Sequence, residues 1–242
     1  MKITFIGTGE AFGRKANTSI LADDKILLDC GMQAVQQLMK LKFSLPKVKL
    51  IFLSHFHADH IFGLPAFLCA SEEERRKEVL EILGGPGTRE YVEKLLFLAY
   101  RKTPGDFNFK INFNEISKIN EKYEKFEFDN YVFEFAETEH SIPAFAVSIT
   151  DREGKKVTYT GDGAVTGEVV NLAGNSDLII AEAYGENIKG HSSVKCAVEL
   201  SRKARAKKLA LVHIRRKEKV DVSEMERIEG VFVPGDLDVI EI

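Results

Sequence analysis

Three imidazoles and a carboxylate fall within one short stretch, His55-Phe56-His57-Ala58-Asp59-His60. In an extended segment residues two apart share a face, so His55 and His57 can grip one ion while Asp59 and His60 reach a second. Imidazole with carboxylate suits zinc, manganese or iron, and such a set leaves positions open for water. The stretch follows a continuous apolar run, Leu50 to Leu53, which argues against a surface turn that merely happens to be rich in histidine. The chain holds only six histidines, and the other three, His140, His191 and His213, each sit beside the end of an expected strand or the start of an expected helix. Asp162, in Thr160-Gly161-Asp162-Gly163, is placed in the same way. Taken singly, Asp162 could cap a helix and His140 or His213 could be a core histidine. Together with the cluster they read as ligands of one site.

These residues need a frame that brings strand ends together. Short β-runs are expected at Ile3 to Ile6, Ser19 to Leu21 and Lys25 to Leu28, then a helix from about Met32 to Leu41. Leu50 to Leu53 is a strand buried on both faces. Ile61 to Ser71 reads as a helix, Val79 to Leu83 as a strand, and Thr88 to Tyr100 as a helix after Gly84-Gly85-Pro86-Gly87. From Phe109 to Thr160 the pattern is β-rich, with runs at Tyr131 to Ala136, Ala144 to Thr150 and Lys156 to Thr160. Strand and helix then alternate through Asp177 to Ala181, Ser192 to Ala204, Lys208 to Val212 and a closing strand, Leu237 to Ile242. With no linker or low-complexity segment, the expectation is one α/β domain over residues 1–242, built as a four-layer αββα sandwich.

Several other features read more plainly. Gly7-x-Gly9-x-x-x-Gly13 misses the spacing of a dinucleotide loop. Gly84 to Thr88 is expected to make a turn and cap, not a phosphate cradle. The charge run Glu72 to Glu78 reads as a solvated helix end, and the basic runs Arg202 to Lys208 and Arg215-Arg216-Lys217 as solvated faces. A hydrophobic share of 44% and a charged share of 29% fit a soluble globular chain with a sizeable core, and a net charge of -3 gives no general attraction to nucleic acid. Cys30, Cys69 and Cys196 form no C-x-x-C pair and suit reduced thiols used in packing. The start of the chain lacks a signal peptide and no apolar stretch reaches the ~20 residues of a membrane span, so a cytoplasmic protein without a membrane partner is expected. A homodimer is the base-rate expectation for any oligomer.

His-x-His-x-Asp-His, followed by single His, Asp and His residues at strand ends, resembles the metallo-β-lactamase superfamily. Gly7-Thr8-Gly9, Leu27-Leu28-Asp29-Cys30-Gly31 and the closing strand are similar to its pattern as well. The resemblance implies that His55, His57 and His140 hold one divalent ion, that Asp59, His60 and His213 hold a second, and that Asp162 bridges them. Aspartate at the bridging place, where a true β-lactamase typically has cysteine, points away from that activity. Ala181-Glu182-Ala183-Tyr184 and Gly190-His191-Ser192-Ser193 resemble the Glu-Ala-Thr and His-Ser-Thr motifs of the ribonuclease Z and related phosphodiesterase branch. That implies His191 beside the scissile phosphate, stabilising charge or protonating the leaving oxygen, with Glu182 orienting it. Bacterial ribonuclease Z carries a tRNA-gripping arm between the third histidine and the bridging aspartate, and the stretch from His140 to Asp162 is too short for one.

The expected function is therefore a dinuclear zinc or manganese hydrolase, with iron a further candidate, cleaving a small cyclic or linear phosphodiester. The metals would lower the pKa of a bridging water and Asp59 would orient the hydroxide. The 66–118 region could supply a lid or a substrate wall. The rival readings are a tRNA 3′-processing endoribonuclease, with RNA as partner, and a thioester or lactone hydrolase on the same site.

Overall fold

Side-chain alternation along the strands accounts for the layers. Strand β4 (Leu50–Leu53) sends Leu50 and Phe52 to one side and Ile51 and Leu53 to the other, and all four are fully buried. Buried on both faces, such a strand reads as an unbroken apolar run. The computed structural model describes residues 1–119, 121–218, 225 and 227–242. Among these residues β4 belongs to a sheet with β1 (Lys2–Gly7), β2 (Ser19–Ala22), β3 (Ile26–Leu28), β5 (Leu80–Gly84), β6 (Ile111–Glu115) and β16 (Val239–Glu241), in the order β16-β1-β2-β3-β4-β5-β6.

The second sheet has the order β15-β14-β13-β12-β11-β10-β9. Its strands are β9 (Phe126–Phe128), β10 (Tyr131–Thr138), β11 (Ala144–Asp151), β12 (Lys156–Tyr159), β13 (Leu178–Glu182), β14 (Leu209–Val212) and β15 (Val231–Phe232). A small two-stranded ladder, β7 (Lys118–Ile119) with β8 (Lys122–Tyr123), pairs with the strands of neither sheet and packs through Tyr123 against Phe145 of the second. Phe5, Phe52, Phe133, Val147 and Tyr159 pack between the two sheets. The outer face of the first is covered by α1 (Ala34–Lys40), α3 (Leu64–Glu73) and α4 (Thr88–Tyr100), through Leu38, Phe67 and Leu96. α5 (Gly167–Leu172) and α6 (Val194–Ala204) cover the second through Val169, Ala197 and Leu200. The result is the expected αββα sandwich of the metallo-β-lactamase fold.

Direction matters more than layer count for the site. β3 and β4 run parallel, as do β12, β13 and β14, so their C-terminal ends emerge along one rim of the sandwich. Asp29, Ser54, Gly161, Ala183 and His213 follow these strands directly or within two residues.

Three expectations need correction. The helix expected over Ile61 to Ser71 is two helices, α2 (Ala58–Ile61) and α3, because the chain turns at Gly63. A Cβ there would stand 2.1 Å from the carbonyl oxygen of Gly31, so only glycine lets α3 close onto the Cys30-Gly31 loop. The run Glu72 to Glu78 is not wholly solvated, since Arg76 is 1% exposed. Its guanidinium donates to the carbonyls of Leu45, Val48 and Val79 and its Nε to that of Glu78, satisfying backbone groups that water does not reach. Of the thiols, Cys30 is buried, but Cys196 is exposed and is no packing residue.

Gly84 to Thr88 forms the expected turn and cap. Gly87 has φ 85° and the Glu115 carboxylate accepts from the backbone N–H groups of Gly87 and Arg89, so an internal anion already serves the start of α4. No helix among the described residues is long and apolar enough to cross a membrane.

Candidate metal centre

His55, His57, Asp59 and His60 leave β4 through an extended turn into α2, and the rim gathers the remaining residues around them. His140 lies in the turn between β10 and β11, Asp162 just beyond β12, and His213 just beyond β14. Two groups result: His55 with His57 and His140, and Asp59 with His60, Asp162 and His213, ligand atoms in each lying within 4.8 Å of one another. All seven residues expected as ligands are thus brought together. Asp162 caps no helix, since the N-cap of α5 is Thr166.

In the first group, His57 Nδ1 lies 3.1 Å from both His55 Nε2 and His140 Nε2. The other ring nitrogens are accounted for: His55 Nδ1 donates to Ser54 Oγ at 3.0 Å and His140 Nδ1 to the Gly190 carbonyl at 2.7 Å. Their Nε2 lone pairs therefore converge with His57 Nδ1 on one point. Tetrahedral ligands about 2.0 to 2.1 Å from zinc stand about 3.3 Å from each other, so the spacing suits an ion.

The second group passes a sharper test. Among the described residues five buried side-chain polar atoms lack a hydrogen-bond partner, and three of them are His60 Nε2, Asp162 Oδ1 and His213 Nδ1. Orphaned atoms are costly in a protein interior, and three aimed at one another are what a cation would satisfy. Asp162 Oδ1 is 3.3 Å from His60 Nε2, while its Oδ2 is 3.9 Å from His55 Nε2. One carboxylate thus faces both groups, the position of a bridge.

Beneath the two groups lies a buried layer that sequence reasoning did not assign. Asp29 Oδ2 accepts from His60 Nδ1, the Tyr159 hydroxyl and the Ser54 hydroxyl, each at 2.7 Å, and Asp29 Oδ1 accepts from Ser54 N–H. This fixes the His60 tautomer so that Nε2 is turned to the centre. Asp29 has φ 57° and His213 φ 53°, conformations disfavoured for residues with a Cβ and held here by the surrounding bonds. A carboxylate at the end of the apolar run Leu27-Leu28 was the available signal.

Electrostatics divides the histidines. Burial, aided by the neighbouring rings of His60 and His140 respectively, pushes His55 and His57 below the usual imidazole value and keeps them neutral. For His60 and His213 burial acts in the same direction but is outweighed. Asp162 and Asp29 hold His60 well above its usual value, and Asp162 with Asp59 raises His213 to about 10. Burial would raise Asp59 and Asp162, yet the facing histidines hold both well below the usual carboxylate range. The facing carboxylates accordingly favour the protonated forms of His60 and His213 in the metal-free chain, and an ion at the second group would displace those protons. Filling the second group should release protons, while His55 and His57, held below the usual imidazole value, contribute little. Calorimetric metal titrations in buffers of different ionisation enthalpy measure this, and a heat independent of buffer would contradict it.

Glu182, at the end of β13, is 1% exposed and accepts from the backbone N–H groups of Gly163 (3.0 Å) and Ser192 (2.9 Å). Its other oxygen meets His191 Nδ1 in a short hydrogen bond. Asp162, Glu182 and His191 lie close enough to form a third metal-binding group, but the carboxylate of Glu182 is already committed to three N–H donors. An oriented imidazole is the better description. Gly163, at φ 128°, lets the chain pass Thr138, whose Oγ1 would be 2.4 Å from a Cβ. The Tyr184 ring stacks on His191 at 4.2 Å, a contact the sequence did not signal.

Beside the first group a recess of about 400 Å³ is lined by His57, Phe56, Pro86, Tyr91 and Phe145. The Tyr91 hydroxyl donates to the Phe56 carbonyl and the two rings stack at 4.6 Å. Pro86 and Tyr91 give the 66–118 region its place as a wall of this recess.

Known proteins match this chain over most or all of its length. Ribonuclease Z of Picrophilus torridus is 28% identical over 270 aligned residues, covering 88% of this chain and 85% of that protein. The crystal structure of human tRNase Z, short form, superposes with a TM-score of 0.83 at 27% identity, covering 100% of this chain and 99% of the other. The metallo-beta-lactamase fold protein YhfI from Bacillus subtilis gives a TM-score of 0.78 at 22% identity, with 100% and 99% covered, and shows the shared fold. The family model described as anti-Pycsar protein Apyc1 matches residues 1–231. By that match the chain belongs to the anti-Pycsar protein Apyc1 family, within the ribonuclease Z-like branch of the metallo-β-lactamase superfamily.

Proposed function

We propose that residues 1–242 form one catalytic domain, a dinuclear metal-dependent hydrolase that cleaves a small cyclic or linear phosphodiester. The observation that carries this reading is the Glu182–His191 pair set beside Asp162. Seven ligands alone would serve many ester hydrolases, but an imidazole held by a buried carboxylate next to the bridge suits a reaction whose leaving oxygen needs a proton.

Two divalent ions, zinc or manganese, would supply Lewis-acid charge to the phosphoryl oxygens and make water a nucleophile at neutral pH. The chain's own groups do the rest. Asp59, kept ionised by His213 and His60, binds at the second group and accepts a hydrogen bond from the attacking water. His191, with Nδ1 engaged by Glu182, presents Nε2 to the departing oxygen as proton donor. Stacking on Tyr184 holds the ring plane. The recess at Phe56 and Tyr91 gives an apolar group of the substrate a place beside the metals.

The preference for small diesters over precursor tRNA rests on topology. β10 and β11 pair along their whole lengths, from Tyr131 with Asp151 to Thr138 with Ala144, and β11 passes to β12 through the turn at Asp151. Between His140 and Asp162 only short turns lie outside β11 and β12, which leaves no segment long enough to form a tRNA-gripping arm. The test is to strip the protein, restore zinc or manganese, and assay bis(p-nitrophenyl) phosphate, a thioester, a lactone and precursor tRNA in parallel. Metal-dependent release from the diester alone is expected. Cleavage of tRNA at its 3′ end, or of the thioester or lactone alone, would replace this reading with the corresponding rival.

A further inference from the structure

Between the apolar strand β4 and the histidine cluster stands one small polar residue, Ser54, which is fully buried. A hydroxyl in the interior must find partners, and this one finds them on both sides of the centre. Ser54 Oγ lies 2.7 Å from Asp29 Oδ2 and 3.0 Å from His55 Nδ1. A carboxylate only accepts, so the hydroxyl proton goes to Asp29 and an Oγ lone pair is left for the N–H of His55 Nδ1. Asp29 Oδ2 accepts in turn from His60 Nδ1 at 2.7 Å. The bonds form one line, His55–Ser54–Asp29–His60, and the imidazoles at its two ends belong to different ligand groups.

Ser54 is held in this line from every side. Its N–H donates to Asp29 Oδ1 at 2.7 Å, and its carbonyl accepts from the N–H of Phe145 in β11 at 3.0 Å. Gly161, at φ 58°, approaches the side chain so closely that a Cβ there would stand 2.8 Å from Ser54 Cβ and 3.1 Å from Oγ. The hydroxyl is therefore closed in by the loop after β12 and stays between Asp29 and His55. Without it, the Nδ1 proton of His55 would face the interior with no acceptor.

We propose that Ser54 is a positioning residue for both ions at once. Its hydroxyl decides which nitrogen of His55 is turned to the first group, and through Asp29 it steadies His60 for the second. A metal-binding imidazole is oriented by the hydrogen bond at its other nitrogen, and loss of such a partner typically weakens the ion about 10- to 100-fold. Here one oxygen atom serves ligands of two ions, so both affinities should depend on it. The inference rests on the two-ion reading of the centre and not on which ester is cleaved. Tyr159 supplies the comparison: its hydroxyl donates to the same Asp29 oxygen, also at 2.7 Å, but lies outside the link to His55.

The test is the pair of stepwise zinc affinities of the metal-stripped protein, measured by competition with a chromophoric chelator. Wild type, Ser54→Ala and Tyr159→Phe are compared, each checked for a cooperative thermal transition. Ser54→Ala should weaken both ions about tenfold or more, whereas Tyr159→Phe, which takes an equal donor from Asp29, should weaken one. A constant left unchanged by Ser54→Ala, or an equal loss at both ions in Tyr159→Phe, would overturn the inference. A second reading needs no variant: nitrogen NMR of the zinc-loaded wild type should show His55 and His60 both protonated at Nδ1, and a His55 proton on Nε2 would break the line. Fewer than two ions bound by the wild type would remove the two-ion reading and this inference with it. Two ions whose affinities ignore Ser54→Ala would remove the inference alone.

Discussion

Asp162→Ala should lower diester turnover about a thousandfold or more, because it removes the one carboxylate that faces both ligand groups and with it several kcal/mol of transition-state stabilisation. The geometry behind this is specific: Asp162 Oδ1 stands 3.3 Å from His60 Nε2 and Oδ2 stands 3.9 Å from His55 Nε2. Metal content should fall below two ions per chain in the same variant. Asp162→Asn, which keeps the shape but not the charge, should fold normally and still lose most activity. Metal analysis beside steady-state hydrolysis measures both. Retention of two ions and a rate within about tenfold of wild type would remove Asp162 from the bridge.

His191→Ala should show a different signature. The residue lies outside both ligand groups, so metal content should be unchanged. Turnover of an alkyl diester should fall by about 10²- to 10⁴-fold, the usual worth of a positioned proton donor. With p-nitrophenolate as leaving group the loss should be much smaller, because that oxygen needs little protonation to depart. Glu182→Gln should weaken the same step, since the amide would have to replace an acceptor of three N–H donors. An equal loss with both leaving groups would assign His191 a structural part only.

Much of the candidate site was legible in the sequence because each residue of the two groups is tied to a local pattern. The six-residue cluster follows a run of four apolar residues, as does His213, and Asp162 follows the β-run Lys156 to Thr160; parallel strands then carry those ends to one rim. The layers followed from strand runs and helices occurring in both halves. What escaped depends on contacts between distant segments. The Tyr159 hydroxyl reaches Asp29 across 130 positions, so the network that orients His60 has no local trace beyond one polar residue at a strand end. Arg76 sits in a charge run that reads as solvent-facing, and only the carbonyls of Leu45 and Val48 show why it is buried. α5 is six residues long, too short for its periodicity to stand out. The division at Gly63 rests on an approach to Gly31 that no sequence pattern records.

The most direct measurement is a stoichiometric titration of the metal-stripped protein, following hydrolysis of bis(p-nitrophenyl) phosphate as zinc or manganese is added. If the two ligand groups act as one dinuclear centre, activity should climb to a plateau at two ions per chain. Full activity at one ion per chain, or turnover in the stripped protein, would contradict the account.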